Sequence, residues 1–190
     1  FDNLIIRNTI MKKTGGFIIA AEDFYTESLF NNAWNRQYYY NALPYVNSYD
    51  YYLSNPYYYG YRPYISGRQE STRYYYNDMV VLSIDSALDL EWNRVIHKKQ
   101  YDVENDNFLS FFNLNAGGEV HFLFLENDKQ KQVISDHAVS PGGEVKRYKT
   151  VKSTDVAYGF MPRFAKQTGA RQIIIPCVYL GYILFAKIDF

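Results

Sequence analysis

The sequence predicts an all-β fold, built from antiparallel four-stranded units that repeat along the chain like the blades of a β-propeller. Three observations lead to this fold class: glycine turns join short apolar runs, the turns recur at similar spacing, and the composition favours strands. Aromatic residues make up 19% of the 190 residues, and tyrosine alone supplies 21 positions. Strands favour aromatic and β-branched side chains, so this composition indicates β-structure.

The first part of each repeat is a hairpin. Glycine supplies the positive φ that a tight turn between two strands needs, and three apolar runs begin directly after a glycine-containing turn. Each of these runs also follows another strand-like segment, so we predict three hairpins. Their first strands lie at 4–11, 108–113 and 158–165, and their turns contain Gly15 and Gly16, Gly117 and Gly118, and Gly169.

A second pair of strands follows each hairpin and completes the unit. In the first two copies these strands lie at 79–85 and 90–96, and at 132–139 and 144–151. The third copy reaches only its third strand, 181–190, where the sequence stops. The segment 144–149 alternates and is rich in lysine, which is typical of an exposed outer edge.

Equivalent positions recur at a regular distance. Gly118 and Ala170 are 52 residues apart, and Ile84 and Val139 are 55 apart. Self-similarity at about 40–50 residues with four strands per unit is typical of propeller blades. The sequence therefore predicts a single domain of about two and three-quarter blades. Blade 1 lies at 1–100, blade 2 at 101–152 and an incomplete blade 3 at 153–190.

A complete propeller has about four to eight blades, so this count is too small to close a ring. We expect the chain to be the C-terminal part of a larger propeller. The missing blades would come from a further N-terminal part of the same protein or from a protein partner. The first residue is Phe1 rather than methionine, which fits a processed or truncated chain.

Blade 1 contains a tyrosine-rich insertion at 37–76, between its second and third strands. It holds 15 tyrosines, interrupted by prolines and glycines. One interpretation is a long surface loop of low complexity. The other, which we favour, is a contact surface, because tyrosine offers a large amphipathic area at low entropic cost. The predicted partner-binding residues are Trp34, Tyr38, Tyr39, Tyr40, Tyr51, Tyr52, Tyr57, Tyr58, Tyr59, Tyr61 and Tyr64.

Four segments carry a resemblance to a known group of proteins. They are GGFIIAAE (15–22), YYYNDMVV (74–81), LEW (90–92) and KKQ (98–100). These segments resemble poorly characterised propeller-like repeat proteins exported by Bacteroidota. The resemblance implies a secreted or cell-surface setting, associated with the outer membrane. It implies no activity and assigns no catalytic residue.

The sequence contains no pattern that indicates a catalytic or metal centre. There is no glycine-rich phosphate loop, no Gly-x-Ser-x-Gly elbow and no His-Glu-x-x-His motif. His97, His121 and His137 are dispersed, and the apolar strand around His121 favours a structural role for that ring. We therefore predict no enzyme activity, no cofactor and no metal. Cys177 lies among apolar residues, which indicates a small buried side chain rather than a reactive thiol.

Carboxylates are numerous, but their positions indicate turns. Asp85, Asp89 and Glu91 surround one turn, where such side chains bond to nearby backbone groups. Paired carboxylates would suit glycoside hydrolysis only if they faced each other across a cleft. Trp92, on a fourth strand, is interpreted as packing between blades rather than as a platform for a sugar.

Charge and hydropathy narrow the classes of partner. The 20 basic and 20 acidic residues balance, whereas nucleic-acid binders usually show a basic excess, so we expect no nucleic acid. No apolar run has the length of a transmembrane segment. The leading hypothesis is a non-enzymatic exported or cell-surface scaffold for protein interaction. The first alternative is a carbohydrate-binding module that stacks Trp34 and the tyrosines on a glycan, and the second is a propeller-type hydrolase.

Overall fold

The structure, a computed structural model, describes residues 3–30, 70–103, 105–128, 131–148, 151–152 and 158–189. Residues 1–27 and 73–190 form one compact unit, and residues 28–72 form another. The described residues of the first unit form β-strands, connecting turns and one short 3₁₀ helix. The all-β prediction is therefore confirmed.

Sheet A consists of β1 (Leu4–Met11), β2 (Phe17–Phe30), β3 (Glu70–Ile84), β4 (Leu90–Ile96) and β5 (Gln100–Val103). The order is β1, β2, β3, and then β4 and β5, which lie one after the other along the same side of β3. Five strands thus fill four positions. Between the β3–β4 and the β3–β5 pairings, the two residues 77–78 of β3 stand opposite the three residues 97–99. The register therefore shifts by one residue, as at a β-bulge.

Sheet B consists of β6 (Phe111–Ala116), β7 (Glu119–Asp128), β8 (Lys131–Val139), β9 (Val145–Arg147) and β10 (Val151–Lys152). Its order is β6, β7, β8, and then β9 and β10 on the same side of β8. Sheet B therefore repeats the four positions of sheet A. The strand expected at 108–113 begins only at Phe111, because Ser110 has a φ of 73°, which a strand does not allow.

Sheet C consists of β11 (Gly159–Phe160), β12 (Lys166–Gly169), β13 (Gln172–Tyr179) and β14 (Tyr182–Asp189). β11 and β12 lie along one side of β13, and β14 lies along the other. The prediction of an unbroken strand at 158–165 is wrong, because a 3₁₀ helix at Pro162–Phe164 interrupts it. Proline has no N–H group for a ladder, so it starts this helix instead.

Counted across their width, sheets A and B each have four strand positions, and the described residues of sheet C fill three. The predicted antiparallel four-stranded sheets are thus present in sheets A and B. Two boundaries differ from the sequence prediction. β5 pairs with β3 and belongs to sheet A, although it begins at the expected limit of blade 1. The cluster 74–76, assigned to the insertion, lies within β3, as the strand preference of tyrosine allows.

The sheets of the first unit stack face to face. One buried cluster joins sheets A and B through Ile18, Met79 and Val81 on one side and Phe122 and Phe124 on the other. A second cluster joins the opposite face of sheet B to sheet C. Its largest contributors are Leu114, Leu123, Ile134, Ile173 and Ile175. Sheet B is therefore covered on both faces, which explains why β7 reads as a continuous apolar run.

Candidate functional site

The partner-binding residues predicted from the sequence lie at 34–64, outside the described residues. The structure describes instead the strands that lead into and out of that segment, β2 and β3. It also describes two exposed apolar surfaces, one on sheet A and one on sheet C.

The outer face of sheet A is the face that points away from sheet B. Strand residues alternate between faces, so the buried Met79 and Val81 face sheet B, while Val80 and Leu82 point outward and are partly exposed. The outer face of β1 carries Ile6, which is 63% exposed. An apolar outer face of this kind is typical of a surface that another body covers.

Three tyrosines form a ladder across this outer face, one on each of three neighbouring strand positions. Tyr25 of β2 stacks on Tyr75 of β3, with ring centroids 4.5 Å apart and planes 15° from parallel. Tyr75 in turn contacts Tyr101 of β5 at 6.0 Å. We call these three residues the tyrosine ladder. Such cross-strand aromatic pairs stabilise a sheet by about 0.2–1 kcal/mol each.

A cation and a carboxylate frame the tyrosine ladder. The Arg73 guanidinium lies 5.6 Å from the centre of the Tyr101 ring and 6.0 Å from that of Tyr75. Arg73 Nη1 donates to the Tyr75 hydroxyl at 3.2 Å, and this hydroxyl donates to Glu27 Oε2 at 2.9 Å. Tyr101 is 59% exposed, so the ladder ends in a ring that is open to solvent.

The tyrosine ladder presents ring edges, hydroxyl groups and a salt bridge rather than a row of free ring faces. Tyr75 has a neighbouring ring on each side. Sugar stacking needs an uncovered ring face, which here only the terminal rings offer. Tyrosine and arginine together are the residue types that dominate the centres of protein interfaces. The arrangement thus suits a polypeptide better than a glycan.

The second exposed apolar surface lies along β14 in sheet C. Tyr182, Ile183 and Phe185 are 73%, 66% and 72% exposed. β14 pairs along its whole length with β13, from Tyr179 and Tyr182 to Gln172 and Asp189. Within the described residues it has no partner on its other side. The strand therefore offers both apolar side chains and unpaired backbone groups to its surroundings.

A buried polar network lies behind the tyrosine ladder, on the face of sheet A that meets sheet B. Lys98 Nζ lies 2.5 Å from Glu22 Oε1, and both side chains are fully buried. Burial lowers the pKa of Lys98, and the Glu22 carboxylate opposes this effect. Ser110 Oγ and Arg7 Nε donate to the other oxygen of Glu22, at 2.7 and 2.9 Å. This network ties β1, β2 and the connection between β4 and β5 to Ser110, directly before the first strand of sheet B.

Tyr76 connects the network to sheet C. Its hydroxyl donates to Asp106 Oδ2 at 2.6 Å, and Arg163 Nη1 donates to the same hydroxyl at 3.0 Å. Arg163 also forms a two-pronged contact with Asp106, at 2.7 and 3.0 Å. The hydrogen bonds from Arg163 are the main cause that lowers the pKa of Asp106. The three residues thus bond to one another and form a joint between β3, the segment before β6 and the 3₁₀ helix of sheet C.

His121, Cys177 and Trp92 take the structural roles that the sequence indicated. His121 Nδ1 lies 3.0 Å from Asp136 Oδ1 within sheet B. This bond is the main cause that raises the pKa of His121. Cys177 is buried among the side chains between sheets B and C, and burial raises the pKa of its thiol. Trp92 packs against the core between sheets A and B, and its Nε1 donates to the carbonyl of Pro141.

The turn carboxylate was also predicted correctly. Asp85 Oδ1 accepts bonds from the backbone N–H groups of Ala87 and Asp89, at 2.8 and 2.9 Å. Glu91 instead accepts from Lys12 and Ser83. Asp85 thus bonds to the backbone of its own turn, and Glu91 links β4 to Lys12 and to Ser83 of β3.

Sequence reasoning missed the Glu22–Lys98 network and the tyrosine ladder. A signal for Glu22 was present, since Ile18, Ala20 and Glu22 share one face of β2 by alternation. An acidic residue on a buried face requires a cationic partner. Nothing in the sequence identified Lys98 as this partner, because Lys98 lies between two strands and does not belong to an alternating apolar pattern. The ladder depends on the pairing of three strands, which the sequence alone does not give.

Neither a metal cluster nor a spanning helix was found in the described residues. No group of three or more His, Cys, Asp or Glu side chains among them is placed to hold a metal ion. No described helix is long and apolar enough to cross a membrane. No protein-family model, no curated protein and no solved structure matches this chain.

Proposed function

We propose that this protein is a non-enzymatic scaffold for protein interaction, with the tyrosine ladder as one contact surface and the tyrosine-rich insertion as another. The single observation that supports this most strongly is the ladder itself. Tyr25 and Tyr75 stand on β2 and β3, the strands that flank the insertion, and the ladder ends in an exposed Tyr101 beside Arg73, which pairs with Glu27. These are residue types with which interfaces anchor a partner.

The proposed partner is a folded or extended protein. A glycan would stack on a free ring face, but Tyr25 and Tyr75 cover one another. A protein can instead pack on ring edges and hydrogen-bond to the tyrosine hydroxyls and to Glu27. The apolar residues of the outer face of sheet A, such as Ile6 and Val95, would extend the buried area.

The proposed architecture is part of a β-propeller. Support comes from the strand positions of the three sheets and from their stacking, in which each sheet packs on the next. The apolar outer face of sheet C is where a further blade would pack. The resemblance to exported Bacteroidota repeat proteins further suggests a secreted or cell-surface location at the outer membrane, and this is part of the proposal.

Site-specific photo-crosslinking tests the proposed contact surface. A benzophenone amino acid replaces Tyr101 in one variant and Leu88 in another, and both variants are produced in the cells that make the protein. Leu88 is also apolar and is 73% exposed, against 59% for Tyr101, but it lies in the turn before β4. We expect one defined protein adduct from position 101 and none from position 88.

The affinity of the identified partner then provides the quantitative test. We expect Tyr101→Ala to weaken binding by at least about tenfold, as for an anchor residue worth more than about 1.4 kcal/mol. Leu88→Ala should leave binding unchanged. A polysaccharide that protects Tyr101 from modification, with no protein adduct, would favour the carbohydrate-binding alternative. Equal adducts from both positions would contradict the proposal.

A further inference from the structure

Two tyrosine rings on adjacent strands are placed where they can react with each other. Tyr25 of β2 and Tyr75 of β3 have ring centroids 4.5 Å apart and planes 15° from parallel. Aromatic pairs in proteins have centroids about 4.5–7 Å apart, so this pair lies at the close limit. The pairing of β2 with β3 holds the two rings together, and reactants held in contact have a far higher effective concentration than free ones.

Two other tyrosine pairs among the described residues are wider and more inclined. Tyr75 and Tyr101 have centroids 6.0 Å apart and planes at 37°. Tyr158 and Tyr179 have centroids 5.0 Å apart and planes at 45°. Of these three pairs, Tyr25 and Tyr75 therefore have the closest and most nearly parallel rings.

The hydroxyl group of Tyr75 already donates to a proton acceptor. Its oxygen lies 2.9 Å from Glu27 Oε2. A tyrosine hydroxyl is protonated at neutral pH, so a ring that loses an electron must also release this proton. A base within about 2.6–3.2 Å can take a proton in such a step, and Glu27 meets this condition. Arg73 Nη1 donates to the same oxygen at 3.2 Å, so the oxygen keeps a hydrogen bond after the proton has left.

An oxidant can reach this part of sheet A from solvent. Tyr25 is 38% exposed, and Tyr101, which contacts Tyr75, is 59% exposed. Tyr75 itself is only partly buried. Each of the two reacting rings can therefore lose an electron, either to the oxidant directly or through a ring in contact with it.

We propose that Tyr25 and Tyr75 form an oxidative cross-linking site, at which hydrogen peroxide and a haem peroxidase join the two rings as dityrosine. Each ring loses one electron and its hydroxyl proton. The two phenoxyl radicals then form one Cε–Cε bond, and the proton released from each bonded Cε restores the hydroxyl group of its ring. One hydrogen peroxide takes up the two electrons and the two hydroxyl protons and becomes two water molecules.

The product would be a covalent tie between β2 and β3. The new bond would close a ring that contains residues 25–75 of the chain. A cross-link of this kind restricts the unfolded chain, so the linked protein should unfold at a higher urea concentration than the unlinked protein. The reaction needs no partner protein, so it is independent of the proposed contact surface.

Peptide mapping of the oxidised full chain tests the site directly. The protein is treated with a haem peroxidase and hydrogen peroxide and digested with trypsin, which cleaves after lysine and arginine. Peptide 14–36 contains Tyr25 as its only tyrosine, and peptide 74–94 contains Tyr75 between Tyr74 and Tyr76. We expect these two peptides to be joined, with the loss of two hydrogen atoms and with the bond at Tyr75. Oxidation of other tyrosines without this product, or a bond at Tyr74 or Tyr76, would overturn the proposal.

Matched variants distinguish the site from unspecific oxidation. Tyr25→Phe and Tyr75→Phe each remove a hydroxyl group, so each should abolish the joined peptide. Tyr182→Phe, at a tyrosine that is 73% exposed, should leave its yield unchanged. In a mixture of isotope-labelled and unlabelled chains, both halves of the joined peptide should carry the same label. Mixed pairs would place the bond between two copies of the chain and would contradict the proposal.

The substitution Glu27→Gln tests the proton acceptor. The rate of cross-linking should fall by about tenfold, less than the roughly 10²–10⁴-fold typical of a positioned base, because water can also take the proton at this exposed site. Added acetate should restore part of the rate in the variant and leave the rate of the unsubstituted protein unchanged. An equal rate in the variant and the unsubstituted protein would contradict this role of Glu27.

Discussion

The Nζ atom of Lys98 lies 2.5 Å from Oε1 of Glu22, with both side chains removed from solvent. Lys98 also donates to the carbonyl of Tyr76 and to Gln100 Oε1, both at 3.0 Å. Gln100 in turn donates to the carbonyl of Leu125 in β7. The ion pair thus fixes the junction of β4 and β5 against both β2 and sheet B, behind the tyrosine ladder.

Removal of the Glu22 charge should therefore be costly. Glu22→Gln leaves Lys98 as a buried cation without a counter-charge, so we expect a loss of about 3–5 kcal/mol in the free energy of unfolding. The double variant Glu22→Leu with Lys98→Met should lose less than the sum of the two single variants, because no isolated charge is left. Urea denaturation measures both. Lys99→Met, at the exposed neighbour, is the control, and additive losses would contradict the account of the pair.

His121 should make the stability depend on pH. Because its pKa is raised, mainly by Asp136, the folded state binds the proton more tightly than the unfolded state. The stabilisation is fully present below the unfolded pKa of about 6.5, and it is lost as the pH rises through the higher pKa of the folded state. His121→Gln should therefore cost about 1.5–3 kcal/mol near pH 5.5, and less near pH 8.5. Thermal unfolding at the two pH values measures this.

His137 serves as the internal comparison for that experiment, because its pKa is shifted in the opposite direction. Burial, including the stacking on Phe124, lowers the pKa of His137. The unfolded state then binds the proton more tightly, so stability falls as the pH drops through 6.5. His137→Gln should relieve part of this loss at pH 5.5. The same sign of pH dependence in both variants would contradict the assignment.

Two glycine substitutions should differ in cost, although both glycines have positive φ. A Cβ at Gly16 would collide with the backbone of Ile84 and Asp85, whereas nothing lies within 4 Å of one at Gly117. Gly117→Ala should cost about 1–2 kcal/mol for the left-handed conformation alone. Gly16→Ala should cost clearly more, because backbone atoms must move. Equal shifts in the urea midpoint would show that the β1–β2 turn does not pack against the end of β3.

Removal of the Tyr76 hydroxyl tests the joint with sheet C. Tyr76→Phe deletes a hydrogen bond to Asp106 and one from Arg163. Hydrogen bonds to charged groups contribute about 1.5–3 kcal/mol to the free energy of unfolding. We expect a loss in that range by urea denaturation. Tyr182→Phe, at an exposed tyrosine, should change stability by less than about 0.5 kcal/mol. A neutral Tyr76→Phe variant would contradict a structural role for the joint.

Local patterns in the sequence were sufficient to predict most of the strands. β1 and β4 have the predicted bounds, because glycine turns and turn carboxylates such as Asp85 act over a few residues. The prediction failed where one residue interrupts an apolar run. Pro162 breaks the strand at 158–165, and the positive φ of Ser110 delays β6.

The candidate surfaces were less accessible to sequence reasoning. Tyr25, Tyr75 and Tyr101 lie far apart in the chain, and only the pairing of β2, β3 and β5 aligns them. The tyrosine cluster 74–76 was assigned to the insertion because its pairing within sheet A cannot be read from the sequence. The succession of antiparallel sheets, in contrast, followed from the repeat, since counting turns does not require a knowledge of contacts.

Hydroxyl-radical footprinting of Tyr101 is the most direct test of the central claim, that the tyrosine ladder is a contact surface. The purified chain is compared with the native assembly isolated gently from its source, and Leu88 serves as the exposed reference. The account predicts that Tyr101 is oxidised readily in the purified chain and is protected in the native assembly, while Leu88 reacts equally in both. Equal oxidation of Tyr101 in the two samples would contradict it.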